Sequence, residues 1–330
     1  MSSSPFHRKI QNLQMRARLI RKMREFFEER DFLAIETPLL VRNPGLEPHL
    51  EHFKTQLKIG MGINKSETLF LPTSPEYHLK KALGWGIPKV FEITKSFRNA
   101  ELSPKHQPEF SILEWYRCPG TYCDIANDFS ELCAILAKTF ELNPLWANSK
   151  YISVRDAFKK FANLDLDEIL LNPDSLSLAA RKAGHEFVEA DDDFSSSFNK
   201  IIVTLIEKNL GFQGIEFLWD YPASEAALSQ KKSSNSLYCE RFEIYWKGIE
   251  LANAFGELTD SAEQRKRCEV DRNVRMQLYG ESPPLDEEFL ESLSEIKNPA
   301  GGIAVGLDRL IMCLLESNGL KEVIAFPYEN

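Results

Sequence analysis

Two alternating runs, KVFEITKSF (89–97) and EFSILEWYR (109–117), flank a loop punctuated by Pro104 and Pro108 and constrain this chain more than any other feature. Side chains alternate across a strand, so Glu92, Thr94, Ser96 and Arg98 share one face of the first run. Phe110, Ile112, Glu114 and Tyr116 share one face of the second. Paired as a hairpin, the runs put an Arg at the end of one strand beside an aromatic ring on the other. Arg forks onto phosphate oxygens and a ring offers a stacking surface. That pairing suits a phosphate next to a flat base. An ordinary hairpin with a surface Arg and a core Phe has the same pattern, so this segment alone leaves both readings open.

The rest of the chain places this hairpin. Residues 8–30 read as an amphipathic helix, with Ile10, Leu13, Ala17, Ile20 and Phe27 near one stripe. DFLAIETPLL then alternates like a strand and stops at Thr37-Pro38. Residues 67–98 read as strand, helix, strand; 108–116 as a strand; 122–140 as a helix. The stretch 150–215 is mixed and largely helical, with a polar patch at Asp191–Ser197. Residues 237–257 read as a hairpin and 301–318 as a strand running into a helix. Elements neither alternate βαβα nor segregate, which predicts an α+β fold, a mainly antiparallel sheet flanked by helices. No internal repeat is found, and SQKKSSNS (229–236) is the one loop-like low-complexity stretch.

Composition narrows the classes. At 43% apolar over 330 residues the chain can bury a full core, which excludes global disorder. A formal charge of −9 argues against a large nucleic-acid footprint, though a local basic patch stays possible. No apolar run approaches the roughly 20 residues of a membrane span. MSSSPFHRKIQNLQMR has no apolar stretch of a secretory signal, so a soluble cytoplasmic protein is expected. Cys118, Cys123, Cys133, Cys239, Cys268 and Cys313 form no C-x-x-C pair and no zinc spacing, so buried reduced thiols are expected.

Three further segments could carry chemistry. In RFEIYWKGIELANAFGELTD (241–260), Lys247-Gly248 reads as a turn, with Trp246 facing Ile249, Tyr245 facing Glu250 and Glu243 facing Ala252. Glu243 and Glu250 are then diagonal neighbours, about 7–8 Å apart. Two carboxylates so placed suit a Mg²⁺ that takes its other ligands from phosphate; a solvated acidic face near Lys247 is the plainer alternative. Glu257 adds a third carboxylate. In AGGIAVGLDRLIMCLLESNG (300–319), Gly302, Ala304 and Gly306 form a floor without bulky side chains, while Ile303 and Val305 point the other way. Asp308 is placed to cap the helix that follows, and Arg309 in its first turn could meet a terminal phosphate. Close strand–helix packing would also require small residues there. In LPTSPEYHLKK (71–81), Thr73 and Glu76 have capping-box spacing with Pro75 inside the helix start. Glu76 then either caps the helix or faces a pocket and holds an ammonium group. No Walker A pattern exists, which excludes a P-loop.

Taken in order, these segments resemble the class II aminoacyl-tRNA synthetases of subclass IIb, and lysyl-tRNA synthetase most closely. DFLAIETPLL resembles motif 1 with its proline, Pro38; SFRN and HQPEFSILEWYR resemble motif 2; GGIAVGLDRL resembles motif 3. Motif 1 ends near residue 40, which leaves no room for the N-terminal OB-fold that reads the anticodon. A catalytic core of that kind, read as a single domain over residues 1–330 with a mostly helical insertion at about 145–215, resembles the elongation factor P lysine ligase family. PTSPEYHLKK, FEIYWKGIELANAFGELTD and the ending VIAFP point the same way. So does Ala304, where lysyl-tRNA synthetases carry Gly; the extra methyl narrows the amino-acid pocket.

The resemblance implies a reaction. ATP and Mg²⁺ activate (R)-β-lysine, or lysine more weakly, as an adenylate. The aminoacyl group then passes to a lysine ε-amino group of elongation factor P. A homodimer through motif 1, no stable tRNA binding and no membrane association are implied as well. By motif, Arg98 holds the α-phosphate and Arg309 the γ-phosphate, with His106 near the terminal phosphates and Phe110 stacked on adenine. Asn99, Ala100, Gln107, Leu251 and Gly306 complete the nucleotide site, and Glu243 and Glu250 hold the metal. Ser74, Pro75, Glu76, Glu114, Tyr116, Asn253, Glu257 and Ala304 bind the amino acid. Three positions depart from the family pattern. Motif 2 normally reads Arg-x-Glu, but Arg98 is followed by Asn99-Ala100 with Glu101 one place late, which leaves the adenine contact to backbone or to Glu101. Gln107 stands where Asn is usual, and Asp31 where Gly is usual. The rival readings are a stand-alone lysyl-tRNA synthetase-like enzyme, another adenylate-forming amino-acid ligase, and a catalytically dead binding module.

Overall fold

The computed structural model describes residues 5–60 and 65–328, so the first four residues of the N-terminal stretch lie outside it. In chain order its strands are β1 (Leu33–Ala34), β2 (Lys54–Lys58), β3 (Ser66–Phe70), β4 (Lys89–Phe97), β5 (Glu109–Arg117), β6 (Ser149–Ser153), β7 (Ile215–Trp219), β8 (Arg241–Trp246), β9 (Ile249–Gly256) and β10 (Gly301–Gly306). Its α-helices are α1 (Pro5–Glu28), α2 (Glu76–Gly84), α3 (Tyr122–Thr139), α4 (Val154–Ala157), α5 (Leu166–Leu170), α6 (Leu176–Lys182), α7 (Phe194–Ile201), α8 (Ser261–Tyr279), α9 (Glu287–Leu293) and α10 (Leu307–Leu314). The chain divides into two compact units. One holds the residues up to Thr121 and those from Leu258 onward; the other is Tyr122–Glu257.

The first unit is built on β1, β4, β5 and β10, in that order. β4–β5 and β5–β10 are antiparallel, and β1 runs parallel to β4. The alternation of 89–117 is thus real strand pairing, with Glu92 opposite Glu114 and Ser96 opposite Phe110. Its buried side is aromatic. Phe27 of α1 stacks on Phe91 at 4.8 Å and meets Trp115 at 4.9 Å. The buried stripe of α1 is Leu19, Met23, Phe26 and Phe27, rather than the Ile10-to-Phe27 stripe read from the sequence, and Ile10 is exposed. Arg16, on the same helix, also points inward: its Nη2 lies 2.6 Å from the buried Asp308 Oδ1. DFLAIETPLL forms only the two-residue β1; Thr37 N is held by Glu92 Oε1 at 3.0 Å. β2–β3 forms a separate two-stranded sheet. Helix α8 begins under an Asp260 cap and ends at Gly280, whose φ of 71° suits a glycine C-cap.

In the second unit β9, β8, β7 and β6 follow one another, antiparallel except for the parallel β6–β7 pair. The region read as largely helical supplies α4–α7 and the short 3₁₀ and π turns among them, packed round Phe158, Phe198, Ile201 and Leu210. The polar patch at 191–197 is a helix start, with Asp193 capping α7. All six cysteines are free; Cys133, Cys239, Cys268 and Cys313 are buried as expected, but Cys118 is half-buried and Cys123 exposed. Among the described residues no helix is long and apolar enough to cross a membrane.

Candidate active site

The β4–β5 hairpin brings the predicted Arg and ring together. Arg98 N donates to Pro108 O at 3.0 Å, which closes the strand end. The Arg98 guanidinium carbon then sits 5.2 Å from the Phe110 ring centroid. Arg98 Nε is buried with no hydrogen-bond partner, and Nη1 reaches Glu101 Oε2 at 3.6 Å. A guanidinium with an unsatisfied buried donor is a ready anion receptor. Around it, His106, Gln107, Gly306 and Arg309 line one cleft, with Glu101 and Lys105. Burial, then the nearby Arg309 charge, lowers the His106 pKa against the pull of Glu101, which favours the neutral imidazole. His106 Nδ1 lies 2.7 Å from Ser103 Oγ. Gln107 Oε1 accepts from Tyr328 N at 2.7 Å, tying the chain's C-terminal segment to the cleft.

Motif 3 supplies the floor and its arginine. In β10, Gly306 pairs with Ile112, Ala304 with Glu114 and Gly302 with Tyr116. A Cβ on Gly306 would lie 3.1 Å from Arg309 Nε, so the missing side chain makes room for that guanidinium. Asp308 does not cap α10. It lies inside the helix, accepts from Ser111 N at 2.7 Å and pairs with Arg16. A carboxylate with two such partners is drawn inward and away from the cap.

A polar cluster lies at the other end of β5. Ser74 Oγ donates to Glu114 Oε1 at 2.6 Å, and Tyr116 OH donates to Glu114 Oε2 at 3.0 Å. Burial pushes the Glu114 carboxyl up to about 8, with the Glu76 charge adding to the effect. The expected capping box fails. Thr73 Oγ1 donates to Pro44 O instead, and Ser74 Oγ accepts from Glu76 N at 3.0 Å, with Pro75 between them. Glu76 is therefore not spent on capping, and its Oε1 accepts from the buried Lys80 Nζ at 2.5 Å. Lys80 escaped the sequence reading, although its place one turn after Glu76 is a recognisable i,i+4 pair. In motif 2, Asn99 Nδ2 donates to Glu51 Oε1 at 2.7 Å, and Ala100 adopts φ 59°, a left-handed turn that throws Glu101 back toward Arg98.

In the second unit the hairpin register differs from the expectation. Trp246 faces Ile249 and Tyr245 faces Glu250 as read, but Glu243 faces Asn253 rather than Ala252, because a bulge at Ile244/Tyr245 takes up one residue. Glu243 and Glu250 are consequently not simple diagonal neighbours. Glu243 Oε1 meets Arg241 Nη2 at 2.6 Å, and Oε2 accepts from Tyr245 OH at 2.6 Å. Asn253 Oδ1 accepts from Arg241 Nε at 3.3 Å. Glu257 is buried and bridges to Ser229; Leu251 is fully buried, so its side chain belongs to the core. Among the described residues no group of three or more His, Cys, Asp or Glu is placed to hold a metal alone. Two carboxylates are the hard donor type that Mg²⁺ takes together with phosphate and water oxygens, while here both Glu243 oxygens are engaged, by Arg241 and by Tyr245.

Comparison with known proteins shows which family the chain resembles. The model of the family described as tRNA synthetases class II (D, K and N) matches residues 6–330. An elongation factor P--(R)-beta-lysine ligase of Erwinia tasmaniensis is 35% identical over 321 residues, covering 97% of this chain and 96% of the relative. Proteins of the same name from Salmonella paratyphi B and Salmonella choleraesuis are 34% identical over the same shares.

Proposed function

The chain belongs to the class II tRNA synthetases (D, K and N) and, within them, to the family of the elongation factor P--(R)-beta-lysine ligases, and on that premise we propose that it activates (R)-β-lysine, and lysine more weakly, with ATP and transfers it to a lysine ε-amino group of elongation factor P. One observation carries the reading. A single hairpin sets Arg98 beside Phe110 at one end and Glu114, held by Ser74 and Tyr116, at the other. A nucleotide phosphate and base suit the first; a doubly positive amino acid suits the second.

In this reading the substrate carboxylate attacks the α-phosphorus in line and pyrophosphate leaves, with no covalent protein nucleophile. Arg98 neutralises charge on the α-phosphate and Arg309 on the γ-phosphate, while His106 hydrogen-bonds beside the terminal phosphates. Phe110 stacks on adenine; Asn99, Ala100 and Gln107 border it, and Glu101 stands in for the motif 2 glutamate. Glu76, Glu114 and Tyr116 take ammonium groups, and Ala304, opposite Glu114, shortens the space between floor and carboxyl. In the second unit Asn253 and Glu257 belong to amino-acid recognition. There Glu243 and Glu250 would hold Mg²⁺, which neutralises phosphate charge when bound.

A homodimer through motif 1 and a cytoplasmic location belong to the same proposal; Leu33, Leu39 and Leu40 are exposed along that segment. Pyrophosphate exchange with lysine, (R)-β-lysine and other amino acids, followed by transfer to elongation factor P or to tRNA, tests it. Labelled protein and unlabelled tRNA are expected; labelling of tRNA alone would overturn the acceptor.

A further inference from the structure

The loop between β1 and β2 holds a carboxylate that no motif names. Pro44 O accepts from Thr73, next to Ser74, and Glu51 bridges to Asn99, next to Arg98. Residues 44–51 are thus tied at one end to the ammonium cluster and at the other to the phosphate arginine. Arg275 of α8, itself buried, clamps the middle, with Nη1 donating to Glu47 O and Leu50 O at 2.7 Å each. Gly45, at φ 109°, leaves the space into which the Glu47 carboxylate folds: a Cβ there would lie 2.5 Å from Glu47 Oε2. That oxygen is buried and makes no hydrogen bond.

A buried carboxylate oxygen without a donor is costly and persists where a ligand completes it. Glu76 and Arg98 both lie within electrostatic reach of it. An amino acid whose carboxylate reacts beside Arg98 carries its nearest ammonium group one or two carbons away, and the segment that bears Glu47 is tied to the neighbours of both Ser74 and Arg98. Resting on the function proposed above, we infer that Glu47 is a specificity-determining residue that receives the ammonium group nearest the reacting carboxylate. Burial, reinforced by Glu76 and opposed by a backbone hydrogen bond and by Arg98, pushes its carboxyl from the ordinary 4.5 up to about 7.

The test uses the full chain and the neutral isostere Glu47→Gln, read by pyrophosphate exchange. The KM for lysine and (R)-β-lysine should rise about tenfold or more, the scale of one charge-assisted hydrogen bond. The KM for ATP should stay unchanged. 6-Aminohexanoate keeps the carboxylate and the distal ammonium but lacks the near one. Its inhibition constant should be the same for both proteins. Unchanged KM values for the diamino acids, or equal weakening of 6-aminohexanoate, would overturn the inference. If Glu47→Gln does not fold, Glu47→Asp is measured in its place: weaker diamino acids with unaltered 6-aminohexanoate support the inference, and unchanged diamino acids or equal weakening overturn it. Failure of the unsubstituted enzyme to exchange with any diamino acid would instead remove the proposed function itself.

Discussion

Lys80 reaches back one helical turn to Glu76, Nζ to Oε1 2.5 Å, with only 1% of the lysine side chain exposed. The same ammonium lies 5.9 Å from the Tyr116 ring centroid. An internal cation therefore already stands among the carboxylates that the substrate is proposed to meet. Removing one partner of a buried pair leaves an uncompensated charge, so Lys80→Met should lower stability by about 3–5 kcal/mol. Adding Glu76→Gln should restore much of the loss. Urea unfolding of the two single variants and the double variant measures this; strict additivity would show that the pair is not coupled.

Arg98 carries the heaviest chemical duty in the proposal. Arg98→Ala should cost about 3 kcal/mol or more in the activation step, the scale for one key charge stabiliser, which is more than a hundredfold in rate. Pyrophosphate exchange reads the loss directly. Normal adenylate formation by the variant would refute the assignment.

Gly306 has an ordinary φ of −65°, so its importance is spatial and not conformational. A methyl at 3.1 Å from Arg309 Nε must push that guanidinium aside. Gly306→Ala should leave the melting temperature nearly unchanged and raise the KM for ATP. An unaltered ATP KM would mean that Arg309 does not act over this floor.

Glu114 makes the protein sensitive to pH in a defined direction. Its carboxyl lies at about 8 in the folded chain against an ordinary 4.5, chiefly through burial. The folded state therefore holds this proton more tightly than the unfolded chain. Its stabilising contribution is whole below about 4.5 and is lost as pH rises through about 8. Glu114→Gln should flatten that decline, seen in urea midpoints taken at several pH values across this window. The same ionisation favours a cation, so the KM for lysine should fall as pH rises toward about 8. A KM independent of pH over that range would argue against Glu114 as an ammonium ligand.

Much of the site was legible locally. Period-2 alternation placed Glu92 and Ser96 on one face of the first strand and Phe110 with Glu114 on one face of the second, and the register pairs Glu92 with Glu114 and Ser96 with Phe110. The Gly-Ala-Gly row of β10 was visible for the same reason. What misled was capping and slippage: Thr73 and Asp308 have the right spacing to cap, yet each found a partner elsewhere in the fold, Pro44 and the Arg16–Ser111 pair. The bulge at Ile244/Tyr245 has no residue signature, and it moved Glu243 opposite Asn253.

The amino-acid sequence by itself determined the two strands of the central hairpin, their faces and the Arg98–Phe110 pairing, because alternation and short connections act between near neighbours. Only the tertiary structure decided that Arg275 holds the Glu47 carbonyl, that Glu76 is met by Lys80, and that burial raises the Glu114 carboxyl. These depend on which distant groups share one water-poor space. Desolvation and charge coupling belong to that space, not to any stretch of chain.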